Sequence, residues 1–179
     1  KTAAFGLPLL QRIDFKKNHM QALILSPTRE LCVQISKDLE VFCKPYENAK
    51  TIAVYGGASI DTQIRQIKRG GQIIVATPGR LLDLLKRKVV KPSQVKHIVF
   101  DEADEMLNMG FKADIDSILS HMAHDRYVWL FSATMSRDVR KIAMNYMTDP
   151  IEISVGDKNM TAQNITHEYF MVSDRNRYP

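Results

Sequence analysis

Short apolar runs alternate with amphipathic stretches along nearly the whole chain. Runs that read as strands fall near Ala22–Ser26, Thr51–Tyr55, Gln72–Ala76, Lys96–Phe100, Tyr127–Ser132 and Ile151–Val155. Between them the apolar positions take helical spacing. Leu31, Ile35, Leu39 and Phe42 form one stripe, Ile60, Ile64 and Ile67 a second, and Val139, Ile142, Ala143 and Tyr146 a third. Thr77 before Pro78 is a suitable N-cap and first-turn pair for a helix running through Leu81, Leu82 and Leu85. Strands and helices in strict alternation predict an α/β fold, a mostly parallel sheet joined by crossover helices.

The chain has 179 residues, enough for one ordinary domain with part of another, and its 45% hydrophobic content can build a real core. No apolar stretch approaches a membrane span, and nothing at the start resembles a signal peptide. A net charge of +5 is compatible with a polyanionic partner but does not argue for one. The basic stretches Lys86-Arg87-Lys88 with Lys91, and Arg65 with Lys68 and Arg69, read as solvated helix faces. Cys32 and Cys43 fall in one predicted helix, about 16 Å apart at 1.5 Å rise per residue, beyond disulfide reach. Two such thiols suit a reducing cytoplasm, which is the expected location. His121 and His124 have helical spacing, but nothing nearby completes a zinc set, so they read as surface histidines.

Candidate chemistry is densest at His97-Ile98-Val99-Phe100-Asp101-Glu102-Ala103-Asp104, where a buried strand ends on an acidic pair. In open α/β sheets ligands bind beyond the carboxyl ends of strands. Two adjacent acids there suit a Mg²⁺-nucleotide site, one holding hydrated metal and the other orienting or deprotonating a water. The other predicted strands end on equally distinctive loops. Pro27-Thr28-Arg29-Glu30-Leu31 follows the first, Gly56-Gly57 the second, Thr77-Pro78-Gly79-Arg80 the third and Ser132-Ala133-Thr134 the fifth.

In order and spacing these five loops resemble the DEAD-box RNA helicases, specifically their first RecA-like domain, across essentially the whole chain. The resemblance implies a RecA-like P-loop NTPase fold with helices on both faces of the sheet, ATP and Mg²⁺ as cofactors, and RNA as partner. Lys1-Thr2 then looks like the tail of the phosphate loop, Lys1 contacting the β- and γ-phosphates and the Thr2 hydroxyl ligating Mg²⁺. Asp101 would hold Mg²⁺ and Glu102 would position or activate the hydrolytic water. Asp104 would hydrogen-bond toward Ser132 and Thr134, which resemble the family's coupling element between nucleotide state and RNA binding. Those hydroxyls also suit a cap for the helix beginning near Ser136, and both roles can coexist.

Pro27, Thr28, Arg29, Gly56, Gly57, Thr77, Gly79 and Arg80 would contact RNA. The threonines offer hydroxyl hydrogen bonds to phosphates, the arginines add charge, and the glycines let main chain approach the strand closely. None forms a base-reading set, so recognition should be independent of sequence. Helix starts after Thr28 and Thr77 add a favourable dipole. In the family the helix beginning at Pro78 acts as a wedge that bends one RNA strand.

Both ends read as cut. Residues 1–155 are expected to form the first RecA-like domain, lacking its N-terminal strand, glycine-rich loop and adenine-recognition motif. An unfilled slot is expected in the central position beside the Asp101 strand. Residues 156–179 read as a linker and the first strand of a second RecA-like domain. An ATP-dependent RNA helicase is the leading expectation, with the 1–179 segment inactive by itself. A DNA translocase of the same superfamily and a non-catalytic RNA clamp or scaffold are the alternatives.

Overall fold

The computed structural model describes residues 1–155 together with Glu168 and Met171. Its strands are β1 (Ala22–Leu25), β2 (Thr51–Val54), β3 (Ile73–Ala76), β4 (His97–Asp101) and β5 (Tyr127–Phe131). Its helices are α1 (Thr2–Leu10), α2 (Arg29–Cys43), α3 (Ile60–Lys68), α4 (Pro78–Lys86), α5 (Ala103–Asn108), α6 (Lys112–Ser120) and α7 (Arg137–Tyr146), with a 3-10 turn at Pro92–Gln94. These strands sit within a residue or so of the predicted ones.

Every pairing is parallel, in the order β2-β3-β1-β4-β5. Ala22 of β1 lies opposite both Ile73 of β3 and His97 of β4, so β1 is the axis of the sheet. All residues of β1, β3 and β4 are buried. That explains their continuous apolar sequence, because alternate side chains enter opposite cores. Ala22, Ile24, Ile73, Val75 and Val99 pack with α1 and α2 through Phe5, Leu9, Ile35 and Leu39. Leu23, Leu25, Ile74, Ile98 and Phe100 pack on the other side with Leu81, Met106, Ile115 and Val139 of α4 to α7. The sheet is therefore covered on both faces, as the fold class requires.

Local signals place the helices that follow the strands. Thr28 caps α2, its hydroxyl accepting from the Leu31 N–H at 3.2 Å, and Ser136 caps α7 by accepting from Val139 at 3.3 Å. Thr77 occupies the same position before α4 with Pro78 in the first turn, but its hydroxyl makes no capping bond. Cys32 and Cys43 are free and buried, and burial pushes the Cys32 thiol up to about 12. His121 and His124 are exposed. Among the described residues no helix is long and apolar enough to cross a membrane.

Two expectations are corrected. Residues 151–155 form no strand, and Ile151, Ile153 and Val155 are exposed. Alternating β-branched residues fit a pleated surface, but a strand exists only where a neighbour completes its ladder, and none of the described strands pairs there. The compact unit carrying the sheet spans Lys1–Thr148. The second correction concerns the slot beside β4. It is filled on both sides, by β1 and β5, and the free edges among the described residues belong to β2 and β5. The strand expected over 167–172 lies outside the described residues, apart from Glu168 and Met171.

At the amino ends of the strands two buried amides hold the loops. Gln72 donates to the Lys17 carbonyl at 3.0 Å and accepts from the Lys50 N–H at 2.9 Å, while Gln21 bridges both backbone groups of Asp14. His97 is buried beside them, stacked on Tyr127 at 5.5 Å between ring centres, with Nδ1 unpartnered. Burial, reinforced by the Arg12 charge, holds its pKa below the ordinary value near 6.5. The unfolded chain therefore takes up this proton first. The stability His97 contributes is intact above about pH 6.5 and is lost as pH falls through the lower folded-state value. Urea midpoints measured at about pH 7.5 and about pH 5.5 should fall more for the wild type than for His97→Gln. An equal fall would mean that other groups govern the acid limb.

Candidate functional site

Parallel pairing sends the loop after every strand to the same end of the sheet. Read across that edge, the order is Gly56-Gly57 after β2, Thr77 to Arg80 after β3, Pro27 to Arg29 after β1, Asp101-Glu102 after β4, and Ser132 to Thr134 after β5. Residues scattered over more than a hundred positions become one row. The row has two halves. Glycines, arginines and the hydroxyls of Thr28 and Thr77 occupy the β2-β3-β1 side, and the carboxylates, with the hydroxyls of Ser132 and Thr134 beside them, occupy the β4-β5 side.

On the acidic side Asp101 is the last residue of β4 and is 1% exposed. Its Oδ1 takes no hydrogen bond, although Lys1 Nζ lies 3.5 Å away. Burial raises the Asp101 pKa, partly opposed by the Lys1 charge. Glu102 follows in the left-handed region, with φ 56° and ψ 54°, a conformation that costs a non-glycine residue about 1 kcal/mol. The reversal turns its carboxylate toward Lys1, and the Nζ to Oε1 distance is 2.7 Å. Partial burial works against the Lys1 charge, but its hydrogen bond to Glu102 and the nearby Asp101 outweigh it, holding the ammonium above its usual range. Thr2 opens α1 directly after Lys1. A lysine, a hydroxyl and a buried carboxylate with an orphaned oxygen form a donor set that fits a phosphate-bound Mg²⁺.

Asp104 ties this loop to the end of β5. Its Oδ2 accepts from the Thr134 hydroxyl at 2.8 Å and from the Thr134 N–H at 2.9 Å. The Asp104 N–H donates to Ser132 Oγ at 3.2 Å, and that hydroxyl donates onward to the Thr134 carbonyl at 2.7 Å. Partial burial opposes ionisation of Asp104, but the bonds from Thr134 and Ser132 outweigh it and keep the carboxyl below its usual range. The capping of α7 falls to Ser136 alone, so Ser132 and Thr134 are committed to Asp104 instead.

On the other side Arg29 is exposed and lies over the Tyr55 ring, 5.4 Å from its centre. Gly57 takes φ +79° there, and a Cβ on it would meet Arg29 Nη1 at 3.3 Å. A Cβ on Gly56 would meet nothing within 4 Å, so internal packing gives no reason for glycine at that position. Pro27 is buried. The Thr28 hydroxyl, which accepts in the α2 cap, keeps its proton free to donate. Arg80 departs from the expectation of a freely available charge. One of its nitrogens donates to Gln63 Oε1 at 2.9 Å and to the Ala58 carbonyl at 3.1 Å. Gln63 in turn donates to the Tyr55 carbonyl at 3.0 Å.

With this edge assembled, the comparisons with known proteins become decisive. Residues 1–142 match the DEAD/DEAH box helicase family. This chain belongs to that family. It is 44% identical to the DEAD-box ATP-dependent RNA helicase CshA of Bacillus subtilis, over 99% of this chain and 36% of that protein. It is 45% identical to the ATP-dependent RNA helicase CshA of Listeria monocytogenes, over 99% of this chain and 34% of that protein. Among solved structures it is similar to a DEAD box protein from the hyperthermophile Methanococcus jannaschii, with TM-score 0.78 and 42% identity over 83% of this chain and 40% of that one. The sheet is accordingly the RecA-like fold of DEAD-box proteins. The chain spans about a third of the length of the relatives it matches.

Sequence reasoning missed Gln63 and Tyr55, which seat the two arginines. Gln63 left a trace. It stands at the i+3 position of the Ile60, Ile64, Ile67 stripe, a polar residue on a buried face, and is 4% exposed. Tyr55 ends an apolar run and carried no such signal.

Burying a carboxylate with an unpaired oxygen costs stability, and Lys1 is too exposed to return much of it. Asp101→Asn should therefore stabilise the fold by about 1 kcal/mol in urea unfolding at neutral pH, the scale of relieved active-site strain. A loss of stability would mean that the pair with Lys1 outweighs desolvation.

Proposed function

We propose that the chain is the first RecA-like domain of an ATP-dependent RNA helicase, and that residues 156–179 lead into a second such domain. The observation that carries this reading is the division of one sheet edge into an acidic half and a hydroxyl-and-arginine half, meeting where β1 adjoins β4. A soluble, cytoplasmic setting accords with two free buried thiols.

On the acidic half Lys1 would hold the β- and γ-phosphates of ATP, while Thr2 and Asp101 would hold Mg²⁺. When bound, that ion neutralises charge building on the phosphates. Glu102 would orient a water and take its proton, from the position that its left-handed backbone gives it. Lys1 lies between both acids, and a phosphate group would compete with them for it. Asp104, Ser132 and Thr134 couple any shift of the Asp101-Glu102 loop to the end of β5, since the two loops share a carboxylate.

On the other half Thr28, Arg29, Gly56, Gly57, Thr77 and Gly79 would lie along an RNA backbone. Arg80 contributes mainly by fixing the Gly56-Gly57 loop through Ala58 and Gln63, with its remaining donors available to phosphate. Such contacts position a strand without reading bases.

In the full-length protein Glu102→Gln should bind ATP and RNA normally while turnover falls about a hundredfold, the scale of losing a general base. Near-normal steady-state hydrolysis would remove Glu102 from that role. Stimulation by RNA and not by DNA of matched sequence separates a helicase acting on RNA from a DNA translocase. The 1–179 segment alone should release no RNA-stimulated phosphate, because an arginine finger from a second domain is worth about 10³–10⁵ in rate.

Arg29→Ala should weaken binding to unrelated single-stranded RNAs by similar factors and reduce the salt slope by about one. Arg80→Ala should do the same and also loosen the Gly56-Gly57 loop, detectable as faster amide exchange there. A loss confined to one RNA sequence would mean base readout.

A further inference from the structure

At the opposite end of the sheet, where the strands begin, two depressions lie side by side and share Val90 and Lys91 in their walls. The first, about 400 Å³, has an aliphatic floor that includes Ile52, Ile67, Ile74 and Val90. Lys68 and Lys91 stand on its rim. The second, about 370 Å³, is lined by Leu85, Val90 and Pro92 with Lys88, Lys91 and His121 around it. No carboxylate lines either depression. Lys68, Lys88 and Lys91 are all exposed, and none forms an ion pair with the described residues, although seven such pairs occur elsewhere among them.

The walls are close-packed around two glycines. Gly70 takes φ +84° against Asn18, which donates to the Arg69 carbonyl, and a Cβ on Gly71 would come within 2.7 Å of Ile52. Lys88 adopts φ 56°, a left-handed conformation usually left to glycine or asparagine after a helix, held by its N–H bond to the Leu85 carbonyl at 2.8 Å. The chain thus sets a lysine, at a conformational cost, on the rim of an apolar groove.

We propose that this two-lobed groove binds a segment of a partner protein in which two apolar side chains are flanked by aspartate or glutamate. The aliphatic floors take the apolar side chains, and the unmatched lysines meet the acids. Nucleic acid fits less well, because the only aromatic rings on the walls are one histidine in each depression, His19 and His121, and no Phe, Tyr or Trp offers a base a stacking platform. The groove lies at the amino ends of the strands and the helicase loops at the carboxyl ends. A peptide bound here leaves nucleotide and RNA access open, and the proposal does not depend on the helicase reading.

The test is selection of displayed random peptides of about sixteen residues on the full-length protein, followed by fluorescence-anisotropy titration of the enriched peptides. Enriched sequences should carry two apolar residues flanked by acids. Lys91→Glu, on the wall common to both lobes, should weaken them about tenfold. Peptides with the acids changed to lysine should bind Lys91→Glu better than wild type, a reversal that a merely unfolded variant cannot produce. ATPase activity of Lys91→Glu should be unchanged. Absence of enrichment, enriched peptides without acids, or affinities indifferent to Lys91→Glu would overturn the proposal. So would a single-stranded RNA oligomer whose binding depends on Lys68, Lys88 and Lys91.

Discussion

The structure depends on the parallel register of β1 with β3 on one side and β4 on the other. Because all these strands point the same way and are covered by helices on both faces, their amino ends and carboxyl ends become two separate surfaces. Every loop that leaves a strand emerges on one of them. The chain does not have to bring Arg29, Arg80, Asp101 and Thr134 together by long excursions; the register does it. Backbone hydrogen bonds in the middle of the sheet thus decide which side chains can share a ligand at its rim.

The acidic half of that rim is held against its own preferences. Asp101 is buried with one oxygen unpartnered, and Glu102 sits in a backbone region that most residues avoid. Neither arrangement helps the fold. Both make sense if the missing partner is a cation and the twisted carboxylate must face a water. The neighbouring Asp104 is the opposite case, a carboxylate whose Oδ2 accepts both the N–H and the hydroxyl of Thr134 in the next loop. On the proposed reading, Asp101 would hold a ligand and Asp104 would transmit its binding to the end of β5.

Arg80 shows why residue type alone does not define a role. An arginine in a Thr-Pro-Gly-Arg loop reads as a phosphate contact, yet its guanidinium is already spanning Ala58 and Gln63. Five donors in a planar fork allow both tasks, and the internal one gives the glycine loop a fixed position from which to meet a strand. Arg29 is arranged differently, laid over an aromatic ring with its charge open to solvent.

The sequence by itself determined the alternation of strands and helices, the buried character of β4, the helix starts after Thr28 and Thr77, and the identity of the loops. These follow from periodicity, capping chemistry and fixed residue types, all local in the chain. It also placed Asp104 with Ser132 and Thr134, because the family resemblance supplied that contact. What it left undecided is whatever depends on neighbours in space. The apolar alternation of Ile151, Ile153 and Val155 is as strand-like as that of β2, but among the described residues β2 pairs with a neighbouring strand and 151–155 form none. The slot imagined beside β4 is filled by β5, since strand order is set by crossover packing that no single segment encodes. The seating of Arg80 on Gln63, and the groove that α3, α4 and the strand starts enclose, arise from residues far apart in the chain. Tertiary structure alone decided these, because a hydrogen bond or a cavity wall requires proximity, and proximity is a property of the whole fold.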